Sequence, residues 1–152
     1  QSIRTNTSGM FYATKAVVPQ MKRRGSGSII NISSVGTLTL PPKRALYNAS
    51  KWAVEGLTRS LSRELGPFNI RCNAILPGVM DNERMERIMR RRAADEDRTF
   101  ESIRDEYLKC SAMNKLISVE DIGAMAVFLS SDKARYVTGQ LIAVCGGIQW
   151  EN

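Results

Sequence analysis

Three short apolar runs, set apart by longer helical stretches, leave this chain few ways to fold. Ser28, Ile29, Ile30, Asn31, Ile32 and Ser33 form the first, bounded by turn residues, rich in branched side chains and too short for a stable helix. Ile70 to Leu76 runs into Pro77 and Gly78, and Gln140 to Val144 stops at Gly146 and Gly147. Before the first run, Met10, Phe11, Ala13, Val17, Val18 and Met21 recur at spacings near 3 and 4. That predicts an amphipathic helix from Ser8 to about Arg24, ended by Gly25. A second helix is expected from about Ala45 to Leu65, closed by Gly66 and Pro67. Its apolar face reads Ala45, Ala49, Trp52, Ala53, Gly56, Leu57, Leu61 and Leu65, with small residues that admit a close neighbour. A third begins at Ser118, where Asp121 is placed to complete a capping box, and runs to about Leu129. Wholly apolar strands alternating with helices predict an α/β fold, a doubly wound parallel sheet covered on both faces. Three strands make a thin sheet that calls for further neighbours, so the chain is expected to start inside a domain. Gln1 rather than Met at the first position agrees.

Composition removes several classes of function. A chain of 152 residues with 43% hydrophobic and 24% charged residues is neither disordered nor collagen-like. There is no histidine, and Cys72, Cys110 and Cys145 are too scattered for a disulfide framework or a metal site. A reducing, cytoplasmic setting is the expectation. No apolar run approaches the ~20 residues that span a bilayer, and the N-terminus lacks the order of a signal peptide. The net charge of +7 divides unevenly: residues 1 to 80 carry 11 Lys and Arg against 2 Asp and Glu, while the remainder is balanced or slightly acidic. These cations lie scattered without interleaved aromatics, which argues against a nucleic-acid surface. Arg90, Arg91 and Arg92 are followed at once by Asp95, Glu96 and Asp97, the pattern of a solvated helix end.

Ligands of an open parallel sheet bind beyond the carboxyl ends of its strands. Ser33 and Ser34 follow the first strand, Tyr47 and Lys51 lie just past the next loop, and Pro77 to Asn82 follow the second strand. Tyr47 and Lys51, four apart on one helix, share a face. A positive charge beside a phenol favours the phenolate, drawing a tyrosine from its usual pKa of ~10 toward the range of general acid/base catalysis. Ser34 is placed to hold the same substrate oxygen, and Ser33 reads as a strand-end hydrogen-bonder.

These residues resemble the classical short-chain dehydrogenases/reductases, whose signature is a serine after a strand and then Tyr-x-x-x-Lys. Here Tyr47, Asn48, Ala49, Ser50, Lys51 follow Ser34 at the family's thirteen-residue interval. Asn6, in Asn6-Thr7-Ser8-Gly9, is similar to the family's catalytic asparagine, although a plain helix-start asparagine would look the same. Asn73 to Gly78 resembles the Pro-Gly segment after the next strand, and Tyr136 to Gln140 with Gly146 and Gly147 resembles the closing strand. The likeness covers the chain apart from residues 81 to 115.

The resemblance implies the C-terminal portion of a Rossmann-like domain in an oxidoreductase that uses NAD or NADP on a small-molecule alcohol or carbonyl substrate. It implies Tyr47 as acid/base, Lys51 lowering its pKa and bonding the nicotinamide ribose, and Ser34 orienting the substrate oxygen. Asn6 would hold a water in a proton relay through Lys51, while Pro77, Gly78, Met80 and Asn82 would line the cofactor. The family's Gly-rich turn and its NAD/NADP-choosing residue are expected upstream of Gln1. Asn82 stands in place of a usual threonine, able to donate in its stead, and Cys145 in place of an aspartate, which puts the turn's bonding in question. Helices 8–24 and 45–65 would pair subunits into a homodimer or homotetramer. A catalytically silent half-domain that mainly associates is the alternative. Residues 81 to 115 fall where the family covers its substrate; Met85, Ile88, Met89, Phe100, Ile103, Tyr107 and Leu108 there either line a pocket or pack helices together. Arg84 and Arg87 either meet an acidic substrate or are solvated.

Overall fold

Side chains along a strand alternate between faces, so a strand buried from end to end needs cover on both sides. In the computed structural model, which describes residues 1–148, β2 (Ile70–Pro77) is that strand, buried without a break from Cys72 to Leu76. It lies between β1 (Gly27–Ile32) and β3 (Leu141–Val144), all parallel, in the order β1-β2-β3. Gly27 pairs with Ile70 and Ile32 with Ile75 on one side, and Ala74 with Leu141 and Pro77 with Val144 on the other. On one face Ile70 and Cys72 pack with Ile29, Leu61 and Leu65, with Val18 and Met21 against them. On the other, Ile75 packs with Leu129 and Ala134, flanked by Ile30, Ile122 and Ile142.

The helices are α1 (Gly9–Arg24), α2 (Gly36–Thr39), α3 (Ala45–Leu65), α4 (Glu83–Asp95), α5 (Phe100–Lys109) and α6 (Val119–Ser130). Gly25 closes α1 in the left-handed conformation at φ 64°, the usual role of a glycine after a helix. The capping box of α6 forms: Asp121 N–H donates to Ser118 Oγ at 3.1 Å and Ser118 N–H to Asp121 Oδ2 at 2.9 Å. Preceding α1, Ile3–Ser8 winds as a π-helix.

Two faces differ from expectation. The predicted apolar stripe of α3 splits: Leu61 and Leu65 are buried, but Ala45, Ala49, Trp52 and Gly56 are exposed, Trp52 by 50%. The buried face instead holds Asn48, Ser50, Val54, Glu55, Thr58 and Ser62. Polarity is no bar to burial when partners are supplied. Asn31 Nδ2 of β1 donates to Thr58 Oγ1 at 2.9 Å, and Ser33 Oγ donates to Glu55 Oε1 at 2.6 Å. Likewise α1 packs through Thr14, Val18 and Met21, leaving Phe11, Ala13 and Val17 exposed.

Residues 81 to 115 form α4 and α5, joined by a cluster in which Met89, Ala93 and Ile103 are buried and Met85, Phe100 and Tyr107 are packed against them. Helix packing takes in five of the seven apolar positions in question, and three of these, Met85, Met89 and Phe100, line a cavity as well. Within the arginine run Arg90 and Arg91 are solvated, paired with Glu86 and Asp95 along α4, whereas Arg92, like Arg98 beyond it, bonds both Glu96 and Glu106 and so ties α4 to α5.

Candidate active site

The C-terminal ends of β1 and β2 and the first turns of α3 meet at one edge of the sheet. After β1 the chain turns through Ser34, whose Oγ accepts the Gly36 N–H at 3.0 Å, while Val35 N–H bonds the Pro77 carbonyl at 3.2 Å. That bond sets the Ser34 turn beside the end of β2. Tyr47 and Lys51, one turn apart on α3, are both half-buried, with Lys51 Nζ 5.8 Å from the centre of the Tyr47 ring. Lys51 Nζ also donates to the Ile32 carbonyl at 2.8 Å, tying the helix back to β1. A methyl group built on Gly36 would come within 3.2 Å of Ser34 Oγ and 3.6 Å of the Tyr47 ring, so serine and tyrosine flank the same small space. Asn48 Oδ1 borders it too, a buried acceptor with no hydrogen-bond partner among the described residues.

Asn6 comes from the π-helical turn, a distortion frequent at functional sites. Its Nδ2 donates to Ser50 Oγ at 2.9 Å, and Ser50 Oγ donates to the Tyr47 carbonyl at 2.7 Å. Asn6 is thereby latched to the turn of α3 that carries the tyrosine and lysine. Asn6, Tyr47, Lys51 and Arg84 line one cavity of about 350 Å³ together with Gln1, Ser2 and Thr5. Arg84 therefore faces the Tyr47–Lys51 pair rather than being only solvated.

Ser34, Pro77, Gly78, Met80 and Asn82 are not among the residues that line that cavity, although Ser34 borders Tyr47 across the Gly36 space. Met80 and Asn82 line a second one, of about 240 Å³, with Met85, Met89, Phe100 and Leu116. Asn82 caps α4, its Oδ1 accepting the Met85 N–H at 2.9 Å, which leaves its Nδ2 as a donor. Met80 sits in a bridge to Ile117 whose two bonds are made by its neighbours Val79 and Asp81. Pro77 and Gly78 end β2, and Gly78 has a packing duty: an added Cβ would lie 2.7 Å from Cys145 Cα. Gly78→Ala should push the ends of β2 and β3 apart and cost about 1–3 kcal/mol, read from the urea midpoint; an unchanged midpoint would contradict the tight approach. At Cys145 the turn is bonded after all, because its sulfur accepts the Ile148 N–H at 3.4 Å.

Burial first, and the Arg84 guanidinium second, hold the Lys51 ammonium below the ordinary lysine range. The folded chain binds that proton less tightly than the unfolded chain. Between the lowered value and the ordinary one, the Lys51 contribution to stability therefore rises with pH. Arg84→Met should raise the Lys51 pKa in an NMR titration of labelled lysine; an unmoved titration would remove Arg84 from the site's electrostatics.

Sequence reasoning passed over Gly36, Ser50 and Glu55. Glu55 carried a signal: it is one of only two acidic residues before position 80, and it continues the Tyr47, Lys51 stripe at the next turn of the helix.

A family model described as enoyl-(acyl carrier protein) reductase matches residues 1–149. The probable galactose dehydrogenase of Rhizobium meliloti (strain 1021) is 36% identical over 149 residues, covering 97% of this chain and 54% of that protein. Among solved structures, NAD+-bound xylitol dehydrogenase superposes with a TM-score of 0.88 at 29% identity, over 95% of this chain and 58% of that one. A variant of actinorhodin polyketide ketoreductase with NADPH gives 0.86 at 29% identity, over 93% and 55%. The chain belongs to the short-chain dehydrogenase/reductase family. Its sheet is the Rossmann-like sheet of those relatives, and it spans about half the length of the curated relatives it matches.

Proposed function

We propose that this chain is the acid/base portion of an NAD- or NADP-dependent oxidoreductase acting on a small-molecule alcohol or carbonyl compound. The observation that carries the proposal is that Tyr47, Lys51 and the latched Asn6 share one cavity, with Ser34 bordering Tyr47 across the Gly36 space. A nicotinamide, when bound, supplies or accepts the hydride at the substrate carbon. Tyr47 Oη gives the proton to the substrate oxygen in reduction and removes it in oxidation. Lys51 stabilises negative charge on the tyrosine oxygen and offers Nζ to the nicotinamide ribose. Ser34 Oγ, with its acceptor side engaged by Gly36 N–H, has its proton to donate to the same substrate oxygen. Asn6 orients a water that passes protons from Lys51 to solvent. Pro77, Gly78, Met80 and Asn82 would line the nicotinamide, Met80 through backbone groups not used in its bridge, with Met80 and Asn82 reaching it from the neighbouring cavity. Helices α4 and α5 cover the substrate.

The apolar side chains left exposed on α1 and α3, among them Phe11, Val17, Leu46 and Trp52, support pairing of subunits into a homodimer or homotetramer through these helices. The same observation favours a second reading, a catalytically silent half-domain that mainly associates. The three cysteines are free, in keeping with a reducing, cytoplasmic compartment. No helix among the described residues is long and apolar enough to cross a membrane. Titration with NADH and NADPH, followed by cofactor fluorescence, tests the proposal. Binding that Lys51→Met weakens supports it, whereas a well-folded oligomer that binds neither cofactor favours the silent reading for this chain.

A further inference from the structure

A carboxylate taken from water is costly unless hydrogen bonds replace its hydration, so one retained without a cation invites a reason. Glu55 is 2% exposed, and among the described residues no lysine or arginine forms an ion pair with it. Its Oε1 is instead reached by two buried hydroxyls, Ser33 Oγ at 2.6 Å and Thr37 Oγ1 at 2.7 Å. Those two residues bracket Ser34. Thr37 Oγ1 also lies 2.8 Å from the Ser34 carbonyl, and Thr37 N–H bonds the same oxygen at 3.1 Å. Glu55 thus grips both ends of the turn that presents the Ser34 hydroxyl. It does so from the helix face that carries Tyr47 and Lys51, at successive turns of α3.

We infer that Glu55 is a positioning residue: it holds the Ser33–Thr37 turn against α3, setting the Ser34 hydroxyl at a fixed distance from Tyr47 on the same rigid helix. The inference deepens the proposed oxidoreductase site and rests on that reading for its catalytic consequence. An apolar residue at 55 would remove the acceptor the two hydroxyls share, leaving Thr37 Oγ1 only the Ser34 carbonyl and Ser33 Oγ only the Lys51 carbonyl at 3.4 Å, and so loosen the turn against α3 while β2 and the core keep their packing. Glutamine keeps a carbonyl acceptor at the same place.

The test compares Glu55→Leu, Glu55→Gln, Ser34→Ala and the Glu55→Leu/Ser34→Ala double variant in the intact protein. Amide exchange in Glu55→Leu should speed up about tenfold or more at Gly36, Thr37 and Leu38 with the amides of β2 unmoved, and Glu55→Gln should restore protection. Turnover should fall about tenfold or more in Glu55→Leu with the cofactor KM unchanged, and adding Glu55→Leu to Ser34→Ala should lower it by no more than about twofold. Exchange that rises equally everywhere, or losses that multiply in the double variant, would overturn the positioning role and leave Glu55 a contributor to stability alone. Should the intact protein interconvert no alcohol and carbonyl compound with either cofactor, the oxidoreductase reading fails, while the exchange comparison still decides whether Glu55 holds the turn.

Discussion

Tyr47→Phe should lower turnover by about two to four orders of magnitude while leaving cofactor affinity and fold in place. The ring of Tyr47 is half-buried beside Lys51 and the Gly36 space, and phenylalanine fills the same volume there without the hydroxyl. Only the hydroxyl proposed to move the proton is lost. Because Lys51 is anchored to the Ile32 carbonyl at 2.8 Å independently of the tyrosine, its own placement should survive the change. Steady-state kinetics of the two proteins at saturating cofactor measure the effect. A variant within about threefold of the parent would remove Tyr47 from the acid/base role.

The largest effect on stability is expected at Ile75. It is fully buried at the centre of β2 and packs with Leu129 and Ala134, with Ile30 of β1 and Ile142 of β3 against the cluster, so one side chain knits all three strands to α6. Ile75→Ala should cost about 2–5 kcal/mol, since helix and sheet cannot both close over the space left behind. Against a typical total of about 5–15 kcal/mol this is a large share, and the urea midpoint should fall accordingly. A loss well under 1 kcal/mol would mean that α6 is not clamped to the sheet as the packing indicates.

Much of this architecture was legible in the order of residues, and the places where it was not have a common physical cause. The limits of α3 and the capping box of α6 follow from local chemistry: periodicity, a closing glycine, a serine with an acidic residue three positions on. Which face of α3 is buried does not. It is decided by partners far along the chain, Asn31 for Thr58 and Ser33 for Glu55, which make polar side chains cheaper to bury than the spacing of apolar ones suggests. The site divides in the same way. Tyr47 and Lys51 were visible as a helical pair, and Ser34 and Asn6 through the order of a known signature. The Asn6–Ser50 latch, the space kept by Gly36 and the grip of Glu55 arise only when strand end and helix are brought together. Cys145 shows the converse, a departure from the family pattern whose turn is closed by a sulfur acceptor instead.

The roles proposed for Ser34, Tyr47 and Lys51 require a direct hydride exchange at a carbonyl carbon. Turnover of a ketone panel by the intact protein with NADH or NADPH deuterated at the transferable C4 position, followed by mass spectrometry of the alcohol formed, tests it most directly. One deuterium is expected on the carbinol carbon of the product. Alcohol formed without the label, or no alcohol from a protein that binds the cofactor, would contradict those roles.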